Sequence, residues 1–156
     1  MAVIGSGACE QDSELAQLAE AVGRGLAEAG VTLVCGGLGG VMEAASRGAA
    51  EAGGTVIGIV PSEQTDHANP HCTHIVATGI GHARNLAVVA SGQAVIAVGG
   101  EWGTLAEIGF ARKLGRPVVT LRSWLPSGEG EMAEAPGVVR AETAADAVEA
   151  ALAASG

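Results

Sequence analysis

Aromatic side chains are almost missing from this chain: its 156 residues include one phenylalanine, two tryptophans and no tyrosine. Lysine is nearly as scarce, with Lys113 the single example, and eight basic residues stand against 17 acidic ones for a net charge of −9. Nucleic acids are held through clustered Lys and Arg and through aromatic stacking platforms. A chain poor in both is expected to have no nucleic-acid partner. The three cysteines, Cys9, Cys35 and Cys72, are odd in number and lack a CxxC spacing. That speaks against a disulfide scaffold and for a reducing compartment. No basic n-region precedes an apolar segment, as a secretory leader requires. No apolar run approaches the roughly 18 residues of a membrane span. A cytoplasmic protein without a membrane partner is expected.

The residues that are present favour a substantial core. Hydrophobic residues make up 48% of the chain and charged residues 16%. A length of about 100–200 residues is typical of one domain, so residues 1–156 are expected to form a single one. Short apolar runs alternate with helical patterns. AVIGSG, VTLVCGG, TVIGIV, AVIAVGG and PVVTL read as strands, with weaker ones at HIVAT and GVVRA. Helices are expected after Asp12–Ser13, over GGVMEAASRGAAEAGG, over ARNLAVVASG, from Thr104 to Leu114, and at the C-terminus. Runs that are apolar throughout, without in/out alternation, belong to a parallel sheet covered on both faces. The expected fold class is α/β, a three-layer sandwich with a mostly parallel sheet of about seven strands and helices on both faces.

In such sheets ligands bind beyond the carboxyl ends of the strands, where strand order reverses. Here three of those ends are rich in glycine: Gly5-Ser6-Gly7, Gly36-Gly37 and Gly99-Gly100. Glycine lets backbone N–H groups approach an anion, and a helix N-terminus adds unpaired donors and the positive end of a dipole. Gly103 and Thr104 are expected to open such a helix, so the loops together form a candidate phosphate cradle. Familiar nucleotide motifs do not account for it. Glu10 stands where a dinucleotide fingerprint would place its third glycine, and neither a GxxxxGK[ST] loop nor a GxSxG elbow is present.

Two longer stretches carry a resemblance. CGGLGGVMEAASRGAAEAGGTVIGIVP (35–61) and GHARNLAVVASGQAVIAVGGEWGTLAEIGFARKLGRPVV (81–119) resemble a superfamily of Rossmann-like proteins. It contains the Lonely Guy phosphoribohydrolases (often labelled lysine decarboxylases), the molybdenum cofactor carrier proteins, and uncharacterised bacterial proteins related to DNA-processing Smf. The likeness runs from about residue 2 to 121. It implies a phosphate loop at Gly99, Gly100, Gly103 and Thr104, a glutamate near the ribose at Glu107, and an arginine at Arg84. Gly36, Gly37 and Met42 would line the opposite wall. The implied ligand is a nucleoside monophosphate or a molybdenum cofactor, with no further cofactor required. Against the hydrolases' GGxGTxxE signature, Val98 replaces a proline, Glu101 is an extra loop residue, Ala106 replaces a first glutamate, and an arginine-lysine pair is Arg84-Asn85. These departures resemble the carrier and uncharacterised members more than the hydrolases, whose activity, release of free base and ribose 5-phosphate, is the alternative.

Several residues have a second, purely structural use. Thr104-x-x-Glu107 has capping-box spacing, and Thr143-x-x-Asp146 repeats it at the last helix, where nothing suggests chemistry. Arg84 lies in an apolar helix and needs either a carboxylate or a ligand phosphate. Trp102 can stack on a base or pterin ring, or simply sit on the surface. His82 lies close enough to Arg84 to reach a ligand. Asp66, His67, His71, Cys72 and His74 crowd one proline-containing loop, but without firm ligand spacing no metal is expected. Glu129, Glu131 and Glu134 read as a solvated loop. The helix through Leu86–Ala90 is apolar on every side, so a homodimer or larger assembly is expected to cover it.

Overall fold

The computed structural model describes residues 1–124 and 137–156, so the Glu129, Glu131 and Glu134 run lies outside the described residues. The strands are β1 (Ala2–Gly5), β2 (Leu33–Cys35), β3 (Val56–Val60), β4 (His74–Ala77), β5 (Val95–Val98), β6 (Val118–Leu121) and β7 (Val138–Ala141). The helices are α1 (Glu14–Glu28), α2 (Val41–Glu51), α3 (Arg84–Ser91), α4 (Trp102–Lys113) and α5 (Ala144–Ala154). One sheet of order β4-β3-β2-β1-β5-β6-β7 unites the described strands, and every neighbouring pair is parallel. This is the Rossmann-like α/β sandwich expected from the pattern.

Successive residues of a strand point to opposite faces, and here each face has its own core. Val3, Ile96 and Val98 pack among residues of α1, α2 and α5. Ala2, Ile4, Val95 and Ala97 pack with Val88 and Val89 of α3 and with Ile108 and Ala111 of α4. A strand buried on both faces must be apolar at every position, which explains the unbroken runs. The edge strands differ for the same reason. His74, Ile75 and Val76 of β4 are exposed, as are Val139 and Arg140 of β7. No helix among the described residues is long and apolar enough to cross a membrane.

Strand order reverses between β1 and β5, where Gly5 is the register partner of Val98. The loops leaving these two strands therefore begin side by side. α1 is capped by the Ser13 side chain, which accepts from the Ala16 N–H. α4 begins at Trp102, two residues before the expected Thr104, with Glu101 at its N-cap position and no side-chain cap.

Candidate functional site

At this switch point a cavity of about 120 Å³ opens. The β1–α1 loop contributes Ser6 and Gly7, and the end of β2 with the start of α2 contributes Gly36 and Met42. The approach to α3 contributes His82, Arg84 and Asn85, and the start of α4 contributes Glu101, Gly103, Thr104 and Glu107. The volume is several times what one water needs and well below that of a pocket enclosing a whole drug-sized ligand. It suits a phosphoryl-sized group. The first N–H groups of any helix lack intrahelical acceptors. At α4 no side chain caps them, so a positive dipole end faces the cavity.

Arg84 dominates the electrostatics. It is 7% exposed, and its Nε is buried without a hydrogen-bond partner. One terminal nitrogen, Nη1, donates to Asn85 Oδ1 at 2.6 Å and stands 3.9 Å from Glu107 Oε1, a long ion pair. The guanidinium lies against bare backbone, because a Cβ on Gly36 would come within 2.7 Å of both its terminal nitrogens. Desolvation disfavours charge on buried groups, and each partner responds. Burial pushes the Glu107 carboxyl up to about 7, with Arg84 opposing the rise. Burial also lowers the pKa of Arg84, while Glu107 and Cys35 hold it up. Near neutral pH Glu107 is thus only partly ionised, and Arg84 is a buried cation short of compensation.

Behind Gly36, the Cys35 thiol is drawn down to about 7 by a hydrogen bond with Cys72, against the opposing effect of burial. The Gly37 N–H donates to Cys35 Sγ at 3.4 Å, so that amide faces the sulfur.

The structure brings Gly5, Ser6, Gly7, Gly36, Met42, Arg84, Gly103, Thr104 and Glu107 to one cavity. Gly37, Gly99, Gly100 and Trp102 do not line it. The Gly99 N–H is taken by Leu121 O at 3.0 Å, and Gly99 and Gly100 turn the loop with φ of 56° and 128°. Trp102 is 77% exposed and stacks on Trp124, ring centroids 5.6 Å apart. His82 is in the lining, as its position beside Arg84 suggested. Cys72 turns inward to Cys35, while His67 and Asp66 stay at the surface, 3.8 Å apart. Among the described residues no three His, Cys, Asp or Glu side chains gather as metal ligands would.

Glu101 and Asn85 line the cavity in roles that the sequence reading did not assign them. The Ser6 hydroxyl donates to Glu101 Oε1 at 2.8 Å across 95 positions of chain, and nothing local predicts that pairing. Asn85 shows its use only once Arg84 is seen to need an acceptor.

Known proteins resemble this chain in sequence or in fold. An uncharacterised protein of Archaeoglobus fulgidus is 45% identical over 120 residues, 77% of this chain and 78% of that protein. The molybdenum cofactor binding protein of Rippkaea orientalis is 32% identical with a TM-score of 0.84, over 97% of this chain and 94% of that one. The molybdenum cofactor carrier protein of Chlamydomonas reinhardtii is 32% identical with a TM-score of 0.82, over 98% and 95%. DNA processing protein A of Helicobacter pylori, studied for single-stranded DNA binding, is 22% identical with a TM-score of 0.70 over 97% and 79%. That likeness is one of fold alone. The SLOG cluster4 family model matches residues 1–150, and the chain belongs to the SLOG cluster4 family.

Proposed function

We propose that this chain binds a phosphorylated small molecule, a nucleoside monophosphate or a molybdenum-cofactor-type pterin, with its phosphoryl group in the switch-point cavity. Arg84 carries the reading. A buried guanidinium with an orphaned Nε beside a carboxyl of pKa about 7 lacks the compensation that buried charges require. An oxyanion would supply it, held also by the free N–H groups that open α4. The two solved molybdenum cofactor proteins, similar over nearly their whole length, support a phosphorylated cofactor as the ligand class. The base or pterin would lie outside the small cavity, where exposed Trp102 offers a stacking face.

Thermal-shift titration with AMP and with molybdenum cofactor tests this, since a ligand that binds only the folded state raises apparent stability. At least one of the two should raise Tm, and the rise should vanish in Arg84→Met. No rise with either contradicts the reading.

One observation favours a second reading, phosphoribohydrolase action on a nucleoside monophosphate. A carboxyl with a pKa of about 7 is matched to general acid–base work at neutral pH, and Glu107 would orient water or steady an oxocarbenium-like ribose. Sustained adenine release from AMP, abolished by Glu107→Gln, would establish it; no adenine leaves binding alone.

The remaining features of the proposal are one functional domain over residues 1–156, a cytoplasmic setting, no nucleic-acid or membrane partner, and a homodimer or larger assembly. Val88 and Val89 are buried within the chain, but Leu86, Phe110 and Leu114 leave α3 and α4 with exposed apolar side chains for a second copy. Light scattering should give at least twice the monomer mass, and a clean monomer contradicts that part.

A further inference from the structure

Glu101 is a carboxylate in a cavity read as an anion site. It occupies the N-cap position of α4, yet its side chain does not cap the helix. Its carboxylate instead takes the Ser6 hydroxyl at 2.8 Å, spanning from the β5–α4 loop to the β1–α1 loop. Ser6 is itself fixed, because its Oγ accepts the Ala8 N–H at 3.1 Å. The backbone of Glu101 is fixed too, since the Trp124 indole N–H donates to its carbonyl at 3.2 Å. A negative charge is therefore held from two sides at the positive end of α4. It shares the cavity with Gly103, Thr104, Arg84, Glu107 and His82.

We propose that Glu101 sets the charge selectivity of this site, acting as a tethered anion that penalises a dianionic phosphoryl group about twice as heavily as a monoanionic one. The inference rests on the phosphate reading above. Coulomb repulsion scales with the product of the charges, so the energy penalty on a phosphate monoester is twice that on a diester of the same shape, and the fold-change in its affinity is the square. Glu101 thereby keeps affinity for monoesters moderate.

The test measures dissociation constants for methyl phosphate, a dianion at pH 8, and for dimethyl phosphate, a monoanion. Amide chemical shifts report binding to the full chain, either wild type, Glu101→Gln or Glu101→Lys. Glu101 is exposed and glutamine can still accept from Ser6, so both variants are expected to fold, and their amide spectra verify it. Glu101→Gln should tighten methyl phosphate by about tenfold and dimethyl phosphate by about threefold, and Glu101→Lys should extend both trends. An unchanged ratio of the two affinities in both variants overturns the role of Glu101 and leaves the phosphate reading standing. If no variant, wild type included, binds either ester, the phosphate reading falls and the selectivity role falls with it.

Discussion

The starts of α4 and α5 carry the same spacing, a threonine followed three residues later by an acid, and put it to opposite uses. At α5 the pair closes a capping box. Thr143 Oγ1 accepts the Asp146 N–H at 3.1 Å, and the Asp146 carboxylate accepts the Thr143 N–H at 3.2 Å. At α4 the helix starts two residues earlier, so Thr104 falls inside the first turn and is buried, and Glu107 falls a full turn further in. Glu107 then faces Arg84 in place of its own backbone. One threonine–acid pair closes a helix end; the other leaves that end open and moves its acid into a cavity. The same four-residue pattern is stabilising at α5 and a source of unrelieved charge at α4.

Removing the cation should give the largest contrast. Arg84→Met is expected to weaken phosphate-ester binding by about 1.5–3 kcal/mol, the scale of lost hydrogen bonds to a charged group, as read by calorimetry. At pH 6, where Glu107 is largely protonated, its Tm should stay level or rise, because a poorly compensated buried charge has been replaced by an apolar side chain and no bare carboxylate is left behind. A marked fall in Tm would mean that Arg84 is well paired in the empty protein.

The pH dependence of anion binding should come next. Sulfate remains a dianion throughout, so only the protein titrates. Below about 7 Glu107 is neutral and leaves Arg84 free for the anion; above it the carboxylate competes. Affinity should fall roughly tenfold from pH 6 to pH 8 and flatten in Glu107→Gln, a change of about one pKa unit's worth of interaction. His82 lines the same cavity, so a slope that survives Glu107→Gln and disappears in His82→Asn would move the effect to the imidazole.

Stability should change with opposite signs at the two helix starts. The folded state raises the Glu107 pKa, so its contribution is complete below the ordinary carboxyl range and is lost as pH climbs through about 7. Denaturant unfolding at pH 8 should find Glu107→Gln more stable than wild type by about 3 kcal/mol, the worth of a carboxyl raised from its ordinary range to about 7, with little difference at pH 4. Thr143→Ala, which opens the capping box, should cost about 1 kcal/mol and leave anion binding unchanged. Equal signs at pH 8 would erase the distinction between the two pairs.

The sheet was legible in the chain because strands buried on both faces have no choice but to be apolar throughout. The one weakly expected strand on its left margin, HIVAT, is the edge strand β4, whose outward residues dilute the signal. The start of α4 was displaced because Thr104 and Glu107 imitate a cap, and only tertiary packing decides that they are not one. Glycine marked the carboxyl ends of β1, β2 and β5 but could not show which amides were free. Those of Gly37 and Gly99 are taken by Cys35 and by Leu121, whereas Gly36 serves by leaving room for the Arg84 guanidinium. Glu101 stood out only as an extra loop residue, and its pairing with Ser6 stayed hidden because Ser6 lies at the far end of the chain.

Crystals grown with AMP would test the central claim most directly. Electron density should place phosphoryl oxygens within hydrogen-bonding distance of the Arg84 guanidinium and of the N–H groups at Gly103 and Thr104, with the Glu101 carboxylate still held by Ser6. Nucleotide bound elsewhere, with its phosphoryl group out of reach of Arg84, would contradict it.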